Sequence, residues 1–125
     1  MTGAGTVERA RSVLGVRFRP QGRDPAYGLD CVGLVAWAAG IDPVPDGYAM
    51  RGGDARDIGA VLDRFGRRSA SAAAGDVLLL AAGAGQFHLA IATGDGIIHA
   101  DAALRRVVER PGPPPWPVLG IWRIR

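Results

Sequence analysis

Three side chains in this chain could carry nucleophilic and acid–base chemistry together at neutral pH: Cys31, its single cysteine, and His88 and His99, its two histidines. One cysteine cannot form an intramolecular disulfide, so Cys31 is core filler, a metal ligand or a nucleophile. It directly follows Asp30 at the predicted start of a helix. There, unpaired N–H groups and the positive end of the helix dipole favour a thiolate over a thiol. The same N–H groups can hold an oxyanion, and Gly33 leaves room for a substrate carbonyl to approach. The Asp30 carboxylate works against thiolate formation unless its charge is spent capping the helix. Both histidines fall in strand-like runs. In the first, Phe87, Leu89 and Ile91 alternate with His88, Ala90 and Ala92, so His88 faces away from the large apolar residues. A two-residue turn at Gly94-Asp95 would pair Thr93 with Gly96, Ala90 with His99 and His88 with Asp101. His88, His99 and Asp101 then share one sheet face. That geometry suits a triad in which His88 takes the Cys31 proton and His99 orients His88 through its other ring nitrogen, with Asp101 in reserve for the third role. The same atoms also read as a zinc site of Cys31, His88 and His99 with an open position. No CxxC or HxxxH spacing accompanies them, so neither a metal nor another cofactor is expected.

The elements that must position these groups follow from periodicity and punctuation. Val7, Ala10, Val13 and Leu14 predict a short amphipathic helix over 7–14, with Thr6 as N-cap and Gly15 as stop. Residues 19–29, with two prolines and two glycines, predict an irregular loop suited to a functional role. The run "DCVGLVAWAA" is apolar almost all the way round and predicts a buried central helix between Asp30 as N-cap and Gly40. After a Pro- and Gly-rich loop over 42–53, "DARDIGAVLDRFG" places Ile58, Val61, Leu62 and Phe65 at helical spacing, closed by Gly66. Short β-type runs then recur at 76–81, 87–93, 96–101, 105–110 and 119–125, predicting an antiparallel meander of about five strands. The insert "PGPPPWP" reads as an extended crossing before the last of them. Helices first and sheet second is the α+β pattern.

The chain has 125 residues, 48% of them hydrophobic and 22% charged, which excludes extensive disorder and predicts one domain over 1–125. Its longest apolar runs fall short of the roughly 18–20 residues that span a bilayer, so no transmembrane segment is expected. All fifteen basic residues are arginine. The net charge of +3 and pI near 10.0 favour polyanions only in general. The pairs Arg67/Arg68 and Arg105/Arg106 are too short for a nucleic-acid arm and have no interleaved aromatics, so no nucleic acid is expected as partner.

Several of these segments together resemble the NlpC-type cell-wall cysteine peptidase family, and within it the short phage-tail and gene-transfer-agent branch. They are "ARSVLGVRFRPQG", "GLDCVGLVAW", "GDVLLL", "FHLAIA" and "IIHAD" followed by "RRVVE", an ordered set running from about Ala10 to Arg125. The resemblance implies a papain-like α+β fold with the nucleophile at the start of the buried central helix. It implies hydrolysis of amide bonds in peptidoglycan stem peptides, commonly between D-glutamate and diaminopimelate. Carried over by position, Cys31 is the nucleophile, His88 the base and His99 the residue orienting it. Asp30, Phe18, Gln21 and Tyr27 are the candidates for oxyanion or substrate contacts. The sequence departs from the family where Phe18 replaces a tyrosine whose hydroxyl serves the oxyanion site, a part for which Tyr27 in the loop is the substitute. Val32 and Ala90 also stand where serine and glycine are common. The N-terminus lacks a basic segment followed by an apolar core, so no signal peptide is expected. With the resemblance, that predicts a protein made in the cytoplasm and carried to the wall with phage-like tail partners. A catalytically inactive tail protein of the same fold, or an amidase or acyltransferase on another substrate, are the competing expectations.

Overall fold

The structure, a computed structural model, describes residues 2–46 and 48–125. Helix α1 spans Gly3–Arg11 and is capped by Thr2, whose hydroxyl accepts from the Gly5 N–H at 3.0 Å. It therefore begins and ends earlier than the 7–14 of the sequence expectation. Thr6 lies inside the helix, buried, and donates its hydroxyl back to the Thr2 carbonyl. Gly3, which argues against a helix here, is required by packing, because a Cβ on it would strike the Ala74 carbonyl. The expected irregular loop holds a small hairpin, with β1 at Arg23–Asp24 and β2 at Gly28–Leu29. Helix α2, Cys31–Ala39, is as expected: Asp30 caps it, Gly40 ends it in the left-handed region at φ 72°, and every residue except Trp37 is buried. Helix α3, Ala55–Asp63, buries Ile58 and Leu62 and stops before Phe65. Gly66 begins a strand instead of closing the helix.

That strand, β3 at Gly66–Arg68, joins β4 (Val77–Gly83), β5 (Gln86–Ala92), β6 (Gly96–Asp101), β7 (Arg106–Pro111) and β8 (Val118–Ile124) in one antiparallel sheet. Its order is β3-β8-β4-β5-β6-β7, so the sheet has six strands rather than about five. The expected meander holds from β4 to β7 only. β8 leaves the meander, crosses back and inserts between β4 and β3. The β5–β6 register is the expected one where the strands pair, with Ile91 opposite Ile98, Ala92 opposite Ile97, and the Thr93 N–H donating to the Gly96 carbonyl at 2.9 Å. The ladder stops there. From His99 onward β6 stays paired with β7, as His99 with Val108 and Asp101 with Arg106, and the expected pairs to Ala90 and His88 do not form.

The two faces of the sheet have different cover. Leu79, Leu89, Ile91, Ile98, Ala100 and Trp122 join the helices in the main core. Leu78, Leu80, Ala90, Ala92 and Ile97 form a second cluster on the other face, under Trp116 and Ile121. Topology explains that cover: a connection from the β7 edge to a strand beyond β4 must pass over β6, β5 and β4. The proline-rich segment takes that route on the face the helices leave open. No helix among the described residues is long and apolar enough to cross a membrane.

Candidate functional site

Cys31 opens α2 and is buried, at 8% exposure. The Asp30 carboxylate just before it is fully engaged. Its Oδ1 accepts from the Gly33 N–H at 2.8 Å and from Arg23 Nη1 at 2.7 Å, and its Oδ2 accepts from the Gln21 N–H at 2.9 Å. Gln21 holds that N–H in place with a left-handed backbone, φ 58°. The cap takes the Gly33 N–H and leaves that of Cys31 without a partner among the described residues, while that of Val32 points at the Cys31 sulfur. The space over Gly33, expected to admit a substrate carbonyl, is filled from within the protein: a Cβ there would strike the Gly22 carbonyl. Gly33 is thus a close-packing glycine that lets the loop reach the helix.

The helix start does not make Cys31 a thiolate. Burial pushes its pKa up to about 11, the Asp30 charge adds to the rise, and the Leu89 and Val32 backbone N–H groups and the Arg23 charge oppose it. The magnitudes decide the sign. A helix terminus favours an anion by about 0.3–1 kcal/mol, up to about 2, whereas taking a charge out of water costs several kcal/mol. Desolvation wins, and the resting group is a neutral thiol.

His88 and His99 do meet, as the alternation of β5 and the two-residue turn predict. His88 Nε2 lies 2.9 Å from His99 Nδ1, and the rings pack edge to face at 5.1 Å and 84°. Beyond them, His99 Nε2 is 3.9 Å from Asp101 Oδ2. Burial first, then the charge of His99, lowers the His88 pKa to about 4, against smaller opposing effects of Asp101 and Asp30. His99 is lowered as well, by burial and Arg110 against Asp101. Both imidazoles are therefore neutral at pH 7. Cys31 meets β5 at the Leu89 backbone, one residue from His88. Among the described residues no hydrogen bond joins its thiol to either imidazole, and no group of three or more His, Cys, Asp or Glu is placed to hold a metal.

The remaining candidates separate. Asp30 and Gln21 line a cleft with Arg23, Val32, Tyr48 and Met50. Phe18, partly buried against the main core, bridges to Leu29, two residues before Cys31, and its N–H donates to the Arg105 carbonyl at 2.9 Å in the turn after β6. Tyr27 sits at the tip of the β1–β2 hairpin, 64% exposed, and lines neither this cleft nor the one at the histidines. Tyr48 is the phenol on the cleft wall, and it escaped the sequence reading because it lies in a loop without periodicity. Burial raises its pKa, with the Asp30 and Cys31 charges adding to the rise and Arg23 opposing it, so its hydroxyl stands near the start of α2. Trp116 was missed too. It caps both imidazoles, 5.3 Å from His88 and 5.7 Å from His99 between ring centroids, and walls a second cleft with Gln86, Phe87 and Asp101. The legible signal was a single large aromatic in a stiff proline segment that has to cross the histidine face.

No protein-family model matches the chain, and no curated protein matches it. Solved structures do. The NlpC/p60 domain of the peptidoglycan hydrolase SagA is 27% identical over 89% of this chain and 90% of that one, with a TM-score of 0.63. The P60 domain of a Mycobacterium avium subspecies paratuberculosis antigen is 20% identical over 96% and 91%, TM-score 0.67. NlpC2 from Trichomonas vaginalis is 20% identical over 98% of this chain but 46% of its own, TM-score 0.76, so this chain spans less than half of that protein. The solved neighbours are NlpC/P60 domains, and the chain has their papain-like α+β fold.

Proposed function

We propose that the chain is a cell-wall hydrolase of the NlpC/P60 family that cleaves an amide bond in peptidoglycan stem peptides, with Cys31 as nucleophile, His88 as general base and His99 holding His88. The observation that carries the proposal is the 2.9 Å contact between His88 Nε2 and His99 Nδ1 on the strand that Cys31 abuts, in this fold. That contact occupies one ring nitrogen of His88 and leaves Nδ1 as the atom that can accept a proton. Thiol and imidazole both start neutral, so the proton leaves Sγ for His88 as sulfur attacks the carbonyl rather than before. The free N–H group of Cys31 is the oxyanion donor available at the helix start. Collapse of the tetrahedral adduct breaks the C–N bond, and the leaving amine takes the proton back from His88. Water, deprotonated by the same imidazole, then hydrolyses the thioester to a carboxylic acid and the free thiol. Catalytic hydrogen bonds are often long or poorly aligned before substrate binds and tighten in the complex; here the thiol, on the helix side of the sheet, would reach His88 past the Leu89 backbone, where the β5–β6 ladder has stopped.

The finer assignments, a D-glutamyl-diaminopimelate bond and a place in a phage-like tail, are supported by the sequence resemblance alone. The test is mass spectrometry of a diaminopimelate-containing stem tetrapeptide and of whole sacculi after incubation with the wild type and with Cys31→Ser. Fragments ending at D-glutamate from the wild type only are the expected result. No cleavage by a folded wild type overturns the hydrolase assignment and favours the inactive tail protein.

A further inference from the structure

The contact between the two imidazoles can be made in two ways that differ in what they leave free. In one, His88 Nε2–H donates to His99 Nδ1, His99 carries its proton on Nε2, and His88 Nδ1 is a bare lone pair. In the other, His99 Nδ1–H donates to His88 Nε2, and the His88 proton sits on Nδ1, where it blocks the base. Heavy-atom positions are the same in both. What distinguishes them is the atom facing His99 Nε2, and that atom is Asp101 Oδ2 at 3.9 Å. The carboxylate cannot turn away, because its Oδ1 accepts from the Ala103 N–H at 2.8 Å and the Leu104 N–H at 3.1 Å across the turn after β6. His99 is almost completely buried, at 3% side-chain exposure, so a charge 3.9 Å from its Nε2 is screened less than it would be in water, and a bare lone pair facing that anion is disfavoured. Of the other groups around His99, Trp116 packs edge to face, and Arg110 on β7 is a cation whose effect on the ring opposes that of Asp101 and is smaller.

We propose that Asp101 is a positioning residue that, acting through His99, fixes His88 in the Nε2–H tautomer and so keeps Nδ1 free to receive a proton. The inference deepens the hydrolase assignment and rests on it for its consequence in catalysis, but the tautomers themselves exist whether or not a substrate is cleaved. Asp101→Asn is the informative change. The Ala103 and Leu104 N–H groups hold the amide oxygen at the Oδ1 position, which turns the amide NH₂ toward His99 Nε2 and rewards the wrong tautomer. Asp101→Ala removes the charge without presenting a donor.

The experiment is two-bond ¹H–¹⁵N correlation spectroscopy of both histidine rings near pH 7, beside kinetics on the stem peptide. In the wild type both rings should show Nε2 protonated and Nδ1 bare. In Asp101→Asn about 90% of both should move to Nδ1–H, with kcat down about tenfold, the share of the competent tautomer that remains, and KM changed less than about twofold. Asp101→Ala should fall between. Nδ1–H on His88 in the wild type overturns the proposal without any variant needing to fold. Unchanged ring tautomers and unchanged kcat in a folded Asp101→Asn overturn it as well, leaving Asp101 as a turn cap only. Correct tautomers in a wild type that cleaves no stem peptide would sink the hydrolase assignment while leaving the tautomer control in place.

Discussion

A buried thiol pushed up to about 11 and a half-buried imidazole pulled down to about 4 make a pair that is neutral on both sides across the physiological range. The pH profile follows from the sign of each shift. His88 must be unprotonated to act as a base, so kcat/KM on a stem peptide should rise through an apparent pKa near 4 and then stay level past pH 7. A protein with an unperturbed histidine would rise near 6.5, and an inflection there would overturn this account. Alkylation of Cys31 by iodoacetamide should correspondingly be slow at pH 7 and accelerate only as pH climbs toward 11, even in an active enzyme. The same His88 shift bears on stability. An imidazole with a depressed folded pKa binds fewer protons than the unfolded chain between about 4 and 6.5, so its stabilising contribution is complete above 6.5 and is lost as pH falls through that window. At this scale the sequence was legible for identity and opaque for state. Cys31 at a helix start and two histidines on one face could be read from caps, alternation and a two-residue turn. The thiol's protonation could not, because it depends on how much protein covers the helix start, and that cover comes from segments far away in the chain.

Trp116 shows what an element without regular structure contributes. The segment from Pro113 to Pro117 makes neither helix nor ladder, yet it lays an indole against both imidazoles on the face opposite the helices. Part of the desolvation that lowers His88 is the area under that ring. Trp116→Ala should let water reach the pair, so the His88 pKa should rise from about 4 toward its ordinary 6.5, and the acid limb of kcat/KM should move up with it. Histidine ring shifts followed by NMR across pH 3–8 would show this directly; a His88 midpoint that does not move would assign the shift to His99 and the strands instead. The sequence marked this segment only as a crossing. Its role depends on which strand it crosses to, and a meander, with its short connections, was the simpler expectation. β3 was missed for a related reason: "GRR" has no apolar alternation, and Gly66, Arg67 and Arg68 become a strand only because β8 arrives beside them.

For the molecule as a whole, closure depends on β8, which ties the chain's end to the middle of the sheet. Trp122 on β8 is buried in the main core and donates its indole N–H to Asp63 at 2.8 Å, fastening α3 to the sheet. Its neighbour Arg123 forks onto both oxygens of Asp76, at 3.2 Å each. Asp76 is the more exacting partner. It is 2% exposed, opens the strand that leads to β5, and also accepts from the Ala73 N–H at 2.8 Å. Asp76→Ala removes the buried carboxylate, and both the half-exposed guanidinium of Arg123 and the N–H of the exposed Ala73 can turn to water, whereas Arg123→Ala leaves that carboxylate buried without its cation. Asp76→Ala should therefore cost about 1–3 kcal/mol, the loss of charge-assisted bonds, while Arg123→Ala should cost more, because it leaves a buried carboxylate uncompensated. Urea denaturation with the slope m held common would read both. Because the His88–His99 pair lies two and three strands from β8 and shares no bond with Asp76, kcat of the folded fraction should stay at the wild-type value. A loss of kcat without a loss of stability in Asp76→Ala would mean that β8 positions the imidazoles directly, and that closure and catalysis are not separable in this fold.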